Sequence, residues 1–244
     1  VHSLKDVTVS FPPGLHLAAR HLVPADGHAL VPTPIYHHFK RAVEHAPRAH
    51  ADVPLVLSEG RWVFDEDALR AALRSNTRLF YLCNPQNPGG TLFTRAELSR
   101  LADIALRRDL VICSDEIHAD IVLDPGKRHV PIASLAPEVS RRTVTLMSPN
   151  KTFNIPAAGC AFAIIEDPAL RRAFSADHHA TVHDPSVFGY AGALLTHRLR
   201  LHWHGLSQVR IVSCRAYVGT RCPLLATVAQ APDRRQRAIT GTVL

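Results

Sequence analysis

"RLFYLCNPQNPGGTLFTRAELSRLADIALRRDLVICSDEIHAD", from Arg78 to Asp120, decides the fold. It opens with an apolar run, Leu79 to Cys83, and breaks into "NPQNPGG", whose prolines and glycines force a tight, extended turn. Thr94 with Glu97 three residues on is a capping box. Leu98, Leu101, Ile104 and Ala105 behind it share one helical face. A second apolar run, "LVICS", follows and ends on Asp115. Strand, capped helix and strand in this order make one βαβ unit, and such a unit implies a parallel sheet.

Working outward, the same alternation runs from Asp6 to about Leu195. The strand candidates are "VTVSF", "ALVP", "VPLVL", "RLFYLC", "LVICS", "TVTLM" and "CAFAII". Between them "GLHLAARHL", "YHHFKRAVEHA", "DEDALRAALRS", "TRAELSRLADIALRRD" and "DPALRRAFSADHH" read as helices. The expected fold class is therefore α/β, a mainly parallel sheet with helices on both faces, occupying residues 1–195. Residues 196–244 read differently: helical period fades, acids nearly vanish, and histidine, cysteine and tryptophan cluster in "HRLRLHWHGLSQVRIVSCRAYVGTRC".

The net charge of +7 would ordinarily point to an acidic partner such as nucleic acid. Residues 197–244 hold eight arginines and one aspartate, which accounts for all of it, and residues 1–196 are neutral. No periodic face or spaced aromatic platform accompanies those arginines, so no nucleic-acid partner is expected. The tail reads as sequence not selected for this fold, such as the product of a reading-frame change, in preference to an anion-binding extension. Val1 is not an initiator and Met147 is the sole methionine, so the chain is expected to be incomplete at both ends. With no apolar run of about 18 residues and no basic-then-apolar leader, the expectation is a cytoplasmic protein without a membrane span. The five cysteines are odd in number and widely spaced, which fits reduced thiols better than disulfides or a zinc knuckle.

In open parallel sheets ligands bind outside the carboxyl ends of the strands. Three successive strand ends carry polar groups: Asn84 and Asn87 after the first, Asp115 and His118 after the second, Ser148 and Lys151 in "SPNK" after the third. Metal ligation is not expected, since no H-E-x-x-H and no third ligand at recognisable spacing accompany Asp115 and His118. Phosphate loops of the G-x-x-x-x-G-K-[ST] or G-x-G-x-x-G type are lacking as well. A lysine, a strand-end carboxylate, a turn asparagine and a nearby serine suit pyridoxal 5'-phosphate. That cofactor needs an amine to hold it, a carboxylate to keep its pyridine nitrogen protonated, a donor to its ring oxygen and donors for its phosphate.

N-P-x-N-P-G-G, D-E-I-H and S-P-N-K-T-F-N occur in order, with 28 positions from Asn87 to Asp115 and 36 from there to Lys151. In these motifs the chain resembles the class I/II, fold-type I pyridoxal-phosphate enzymes, and most closely their cystathionine β-lyase-like MalY/PatB branch. The resemblance runs from about Thr8 to about Leu195 and identifies residues 1–195 with the large, cofactor-binding domain. It implies that Lys151 is the Schiff-base lysine, Asp115 the partner of the pyridinium nitrogen, and Asn87 the donor to the ring oxygen. His118 stands where related enzymes often place a tyrosine of the same role, Ser148 resembles a phosphate ligand, and Tyr36 in "PTPIYHHF" matches the residue stacked on the ring. It further implies a homodimer with active sites at the subunit interface. The implied reaction is carbon–sulfur β-elimination from cystathionine or another cysteine conjugate, or else amino-group transfer.

The sequence also departs from that pattern. "SFPPGLHLA" stands where the branch has a glycine-led turn whose amides help hold the phosphate, and Pro12 and Pro13 have no N–H to offer. The family's N-terminal segment is missing, and the small C-terminal domain with its substrate-binding arginine has no counterpart in residues 197–244; Arg234, Arg235 and Arg237 lie in no matching context. A catalytically inactive remnant therefore stands as the alternative to a β-lyase or aminotransferase.

Overall fold

Residues 79–83 alternate strictly between the two faces of the sheet: Leu79, Tyr81 and Cys83 join one apolar cluster, Phe80 and Leu82 the other. A strand buried on both faces needs a helical layer on each side, and the computed structural model supplies both. It describes residues 13–154, 160–176, 187 and 189–192. Helix α1 (Pro13–Leu22) leads into β1 (His28–Thr33), α2 (His38–His45), β2 (Ala49–Ser58), β3 (Arg61–Phe64), α3 (Glu66–Ala72) and β4 (Thr77–Cys83). The chain continues through α4 (Arg95–Arg107), β5 (Val111–Asp115), α5 (Pro137–Ser140), β6 (Thr143–Met147), α6 (Pro149–Thr152), β7 (Phe162–Ile164) and α7 (Pro168–Phe174). The expected strand "VTVSF", Pro12 and the tail from residue 196 lie outside the described residues.

The sheet runs β3-β2-β1-β4-β5-β6-β7. Pairing is parallel from β2 through β1, β4 and β5 to β6, and antiparallel at the edges, β2 with β3 and β6 with β7. Helices α1, α2 and α7 cover one face through Leu15, Phe39, Val43 and Phe174. On the other face α3, α4 and α5 pack Leu69, Leu98, Leu101 and Val139 against Leu30, Phe80 and Ile112. The expected doubly covered, mainly parallel sheet is what the chain forms. The sequence reading missed β3, because its four residues are all half-buried and show no alternation, and it missed the four-residue helices α5 and α6, too short to display a period.

Two local devices set the geometry around β4. At the start of α4, Thr94 Oγ1 accepts from Glu97 N–H at 3.2 Å and Thr94 N–H donates back to Glu97 Oε2 at 2.6 Å. Glu97 also holds Arg61 of β3 at 3.1 Å, so the cap fastens the β2–β3 hairpin to α4. In the turn after β4, Gly89 sits under the Trp62 ring, and a Cβ there would fall onto Trp62 Cδ1 and within 2.5 Å of Gln86 Oε1. Gly90 follows at φ +73°, a left-handed position where glycine carries no steric cost.

Removing the cap hydroxyl with Thr94→Ala is expected to lower stability by about 1 kcal/mol, read as a fall in the urea midpoint. Gly89→Ala is expected to do worse, because the Cβ displaces Trp62 and Gln86 together, and a variant as stable as the parent would refute that account of the turn.

Candidate active site

The chain first builds outward from β1 to β2 and β3, then crosses back to place β4 on the other side of β1. The gap beyond the ends of β1 and β4 is thus a topological switch point, where open sheets of this kind bind ligands. Tyr36 follows β1 and the "NPQNPGG" turn follows β4, so the two flank this gap. Gln86 bridges it: its Nε2 donates to Pro34 O at 2.6 Å while its Oε1 accepts from Gly89 N–H at 2.6 Å. Both ends of one buried amide therefore fix the turn against the segment that carries Tyr36.

Register aligns the next strands. Cys83 pairs with Asp115, and Asp115 with Leu146. Beyond the ladder Asn84 N–H still donates to Asp115 O at 3.0 Å and Glu116 N–H to Leu146 O at 2.9 Å. The ends of β4, β5 and β6 consequently finish level. Gly14 of α1 packs against the Leu146 side chain, which sets the N-terminal end of that helix beside the same edge.

Asp115 lies at the centre. One carboxylate oxygen, Oδ1, accepts from Ile117 N–H at 3.1 Å, and Oδ2 has no hydrogen-bond partner among the described residues. Burial pushes its carboxyl up to about 6; the Ile117 bond and the Lys151 charge pull it down, and the neighbouring Glu116 charge pushes it further up. His118, half-buried, is lowered by burial and then by the Lys151 charge. The structure therefore brings Asp115, His118 and Lys151 within electrostatic reach of one another. Lys151 is exposed and makes no hydrogen bond or ion pair among the described residues.

Asn87 closes the β4 side. Its N–H is bonded to the Cys83 thiol, whose proton affinity burial raises strongly, with the Asp115 charge adding to it. Its side-chain amide has no partner among the described residues. Tyr36 is 36% exposed and makes edge contacts with His37 and His38, each at 4.8 Å between ring centres. Its connection to the other groups runs through Gln86. Ser148 is engaged locally: it caps α6 by accepting from Asn150 N–H at 3.1 Å and donates to Cys160 O at 2.6 Å. Asn84, one of the two turn asparagines, is a structural tie, accepting from Phe93 N–H at 3.2 Å and donating to Val130 O at 3.3 Å.

Pyridoxal phosphate can be tested against these groups. An unpaired amine, a half-buried carboxylate with an unclaimed oxygen and an unclaimed asparagine amide stand around level strand ends, and they fit the ring of that cofactor. The phosphate end is thinner. Ser148 has its one hydrogen on Cys160 O, and of the residues before Gly14 only Pro13, which has no N–H, is described. Three residues of the neighbourhood escaped the sequence reading: Gln86, Glu116 and His129. Strand alternation was a usable signal for Glu116, because it turns this carboxylate away from Asp115 and into the helical layer, where a charge needs partners.

A parallel sheet with a lysine, a buried carboxylate and an asparagine around its strand ends has the architecture of an enzyme acting on a small molecule above the sheet. The chain belongs to the aminotransferase class I and II family, whose pattern matches residues 7–209. It is similar to cystathionine beta-lyase PatB of Bacillus subtilis, 34% identical over 174 residues, 69% of this chain and 45% of that protein. Among solved structures it is similar to OvoB, with 41% identity and a TM-score of 0.75 over 78% of this chain and 50% of that one. Cystalysin from Treponema denticola, described as containing a pyridoxal 5'-phosphate cofactor, superposes with a TM-score of 0.73 at 27% identity over 78% of this chain and 49% of that one. The chain spans about half the length of the curated relatives it matches.

The raised Asp115 carboxyl carries a stability consequence. Its folded value of about 6 lies above the ordinary 3.8, so between these values the unfolded chain releases a proton that the folded chain keeps. Stability therefore falls as pH rises through this window and stays reduced above it. Asp115→Asn keeps the acceptor for Ile117 N–H and removes the charge. It is expected to stabilise the cofactor-free chain at pH 7.5 by on the order of 1–2 kcal/mol, allowing for the carboxylate's partial exposure. Denaturant unfolding should show that gain shrinking towards zero below about pH 4, and an equal gain at both pH values would contradict the assignment.

Proposed function

We propose that this chain carries the pyridoxal-phosphate site of a carbon–sulfur β-lyase that acts on cystathionine or a similar cysteine conjugate. The observation that supports it is the level register of β4, β5 and β6, which sets Asp115 between the Asn87 turn and Lys151. Similarity to cystathionine beta-lyase PatB favours the lyase over the amino-group transfer for which the family is named.

When bound, pyridoxal phosphate supplies an electron sink for the pair left behind as the substrate's α-proton departs. The Lys151 amine would hold the cofactor's aldehyde carbon, and the same amine would serve as the base for the substrate's α-proton. Asp115 Oδ2, with no donor among the described residues, would accept from the pyridine nitrogen and favour its protonated form. Asn87 would donate its side-chain amide to the ring oxygen. His118, whose proton affinity is lowered by burial and then by the Lys151 charge, would offer a ring N–H to the same oxygen. Tyr36 would stack on the ring, and Ser148 would serve the phosphate, which requires its hydroxyl to leave Cys160 O. The products are the thiol, pyruvate and ammonia. Full activity is proposed to belong to a homodimer, as the resemblance to the family implies.

Reconstitution of the purified chain with pyridoxal phosphate, followed by borohydride, tests the reading. A cofactor mass fixed on the peptide containing Lys151 is expected, and Lys151→Ala should abolish it. Pyruvate release from cystathionine identifies the lyase, whereas amino-group exchange with a 2-oxo acid identifies the transferase. A folded, soluble chain that acquires no adduct is a catalytically inactive one. Where turnover is found, loss of Lys151 should lower it by about three to four orders of magnitude.

A further inference from the structure

The carboxylate next to Asp115 has the opposite surroundings. Glu116 is 1% exposed, and both its oxygens are engaged. Oε1 accepts from Ser114 Oγ at 2.9 Å and from Ile132 N–H at 3.4 Å, and Oε2 meets His129 Nε2 at 2.8 Å. His129 is nearly as buried, with 8% of its side chain accessible, and its other nitrogen, Nδ1, lies 3.4 Å from Asn84 Nδ2.

The direction of every bond in this chain is fixed from one end. Phe93 N–H can only donate, so the atom of Asn84 facing it is the carbonyl oxygen. The Asn84 amide nitrogen therefore faces Val130 O and His129 Nδ1, and it can only donate. Nδ1 must then accept, which leaves His129 neutral with its proton on Nε2, aimed at Glu116. With donors from Ser114, His129 and Ile132, Glu116 is satisfied as a carboxylate anion, and no cation neutralises it among the described residues.

We propose that Glu116 and His129 are positioning residues for Asp115. The directed chain from Phe93 through Asn84 and His129 to Glu116 ties the end of β4 to the end of β5 and holds one fixed negative charge beside the Asp115 carboxylate. That charge opposes ionisation of Asp115, and a carboxylate with higher proton affinity binds more tightly to a protonated ring nitrogen. This role rests on the function proposed above, but its physical content belongs to the chain without cofactor. The Glu116 charge is one of the causes that raise the Asp115 carboxyl, behind burial.

Two measurements on the cofactor-free full chain test it. Nitrogen-15 NMR of the histidine rings, with His129 assigned through its backbone, should show a neutral ring protonated at Nε2 at neutral pH. A ring protonated at Nδ1, or at both nitrogens, would overturn the directed chain. Carbon-13 NMR of the aspartate carboxyls should place the Asp115 midpoint near 6, and Glu116→Gln should move it down, though not below 3.8, because burial remains. Glutamine keeps the size of Glu116 and an acceptor for His129, so a merely structural role leaves the midpoint where it was, and that result defeats the proposal. Should the glutamine variant not fold, Glu116→Asp, which keeps the charge but withdraws it from His129, replaces it, with the change in the His129 ring signals as the reading. Unaltered ring signals in that variant count against the relay. Neither measurement involves pyridoxal phosphate, so failed reconstitution with both signatures present would refute the cofactor reading and leave the relay standing.

Discussion

The site depends on the parallel ladder that levels β4, β5 and β6. Cys83, Asp115 and Leu146 are partners across it, and two backbone bonds carry the alignment one residue past the strands: Asn84 N–H to Asp115 O, and Glu116 N–H to Leu146 O. A parallel strand slipped by one residue would exchange its two faces. Were β5 the strand to slip, Asp115 would turn towards α4 and Glu116 towards the opposite face, while Ile112 would leave its cluster. Apolar burial on both sides thus specifies the register, and the register specifies which carboxylate meets the ligand. The sheet's core packing thus chooses the face on which Asp115 stands.

Around that ladder the polar groups divide by their bonds. Gln86, Asn84, Ser148 and Glu116 have their donors and acceptors matched within the protein, and they bind loops to strand ends. Lys151, Oδ2 of Asp115 and the side-chain amide of Asn87 have no match among the described residues. Asp115 and Asn87 are half-removed from water, where an unmatched polar group costs free energy, whereas Lys151 is exposed to it. This division separates residues that build the site from residues that use it. It also explains why the two asparagines of "NPQNP" differ in kind although the turn presents them three residues apart.

The sheet was legible because its signals are periodic and local: alternation in β4, a capping box at Thr94 and apolar spacing in α4 all act over a few residues. Asp115, Lys151 and Asn87 were legible because chain direction alone puts them at strand ends. The rest depended on long-range matches that a linear reading does not contain. Gln86 finds its acceptor at Pro34, 52 positions away, and Arg61 finds Glu97 36 positions away. His129 was one histidine among sixteen, and only the fold sets it against Glu116. Ser148 was read through the resemblance as a phosphate ligand, and its observed bonds are those of a helix cap, a second role that "SPN" allows equally well.

Asp115 and Glu116 are consecutive, chemically near-identical and both at the end of β5, yet the fold treats them in opposite ways. Glu116 is 1% exposed and receives three donors, from Ser114, His129 and Ile132; Asp115 is half-buried and receives one, from Ile117. Alternation along a strand is sufficient to produce the difference, since it turns neighbours to opposite faces. The compensated charge is stable where it is and acts on its neighbour at no more than one residue's distance. The uncompensated one has its carboxyl raised to about 6, close enough to neutral pH that a positive partner can complete its ionisation. The result is one carboxylate short of partners beside a second that is fully bonded. The apolar sheet bears the cost, and its two covered faces are what allow two negative charges to stand side by side at a strand end.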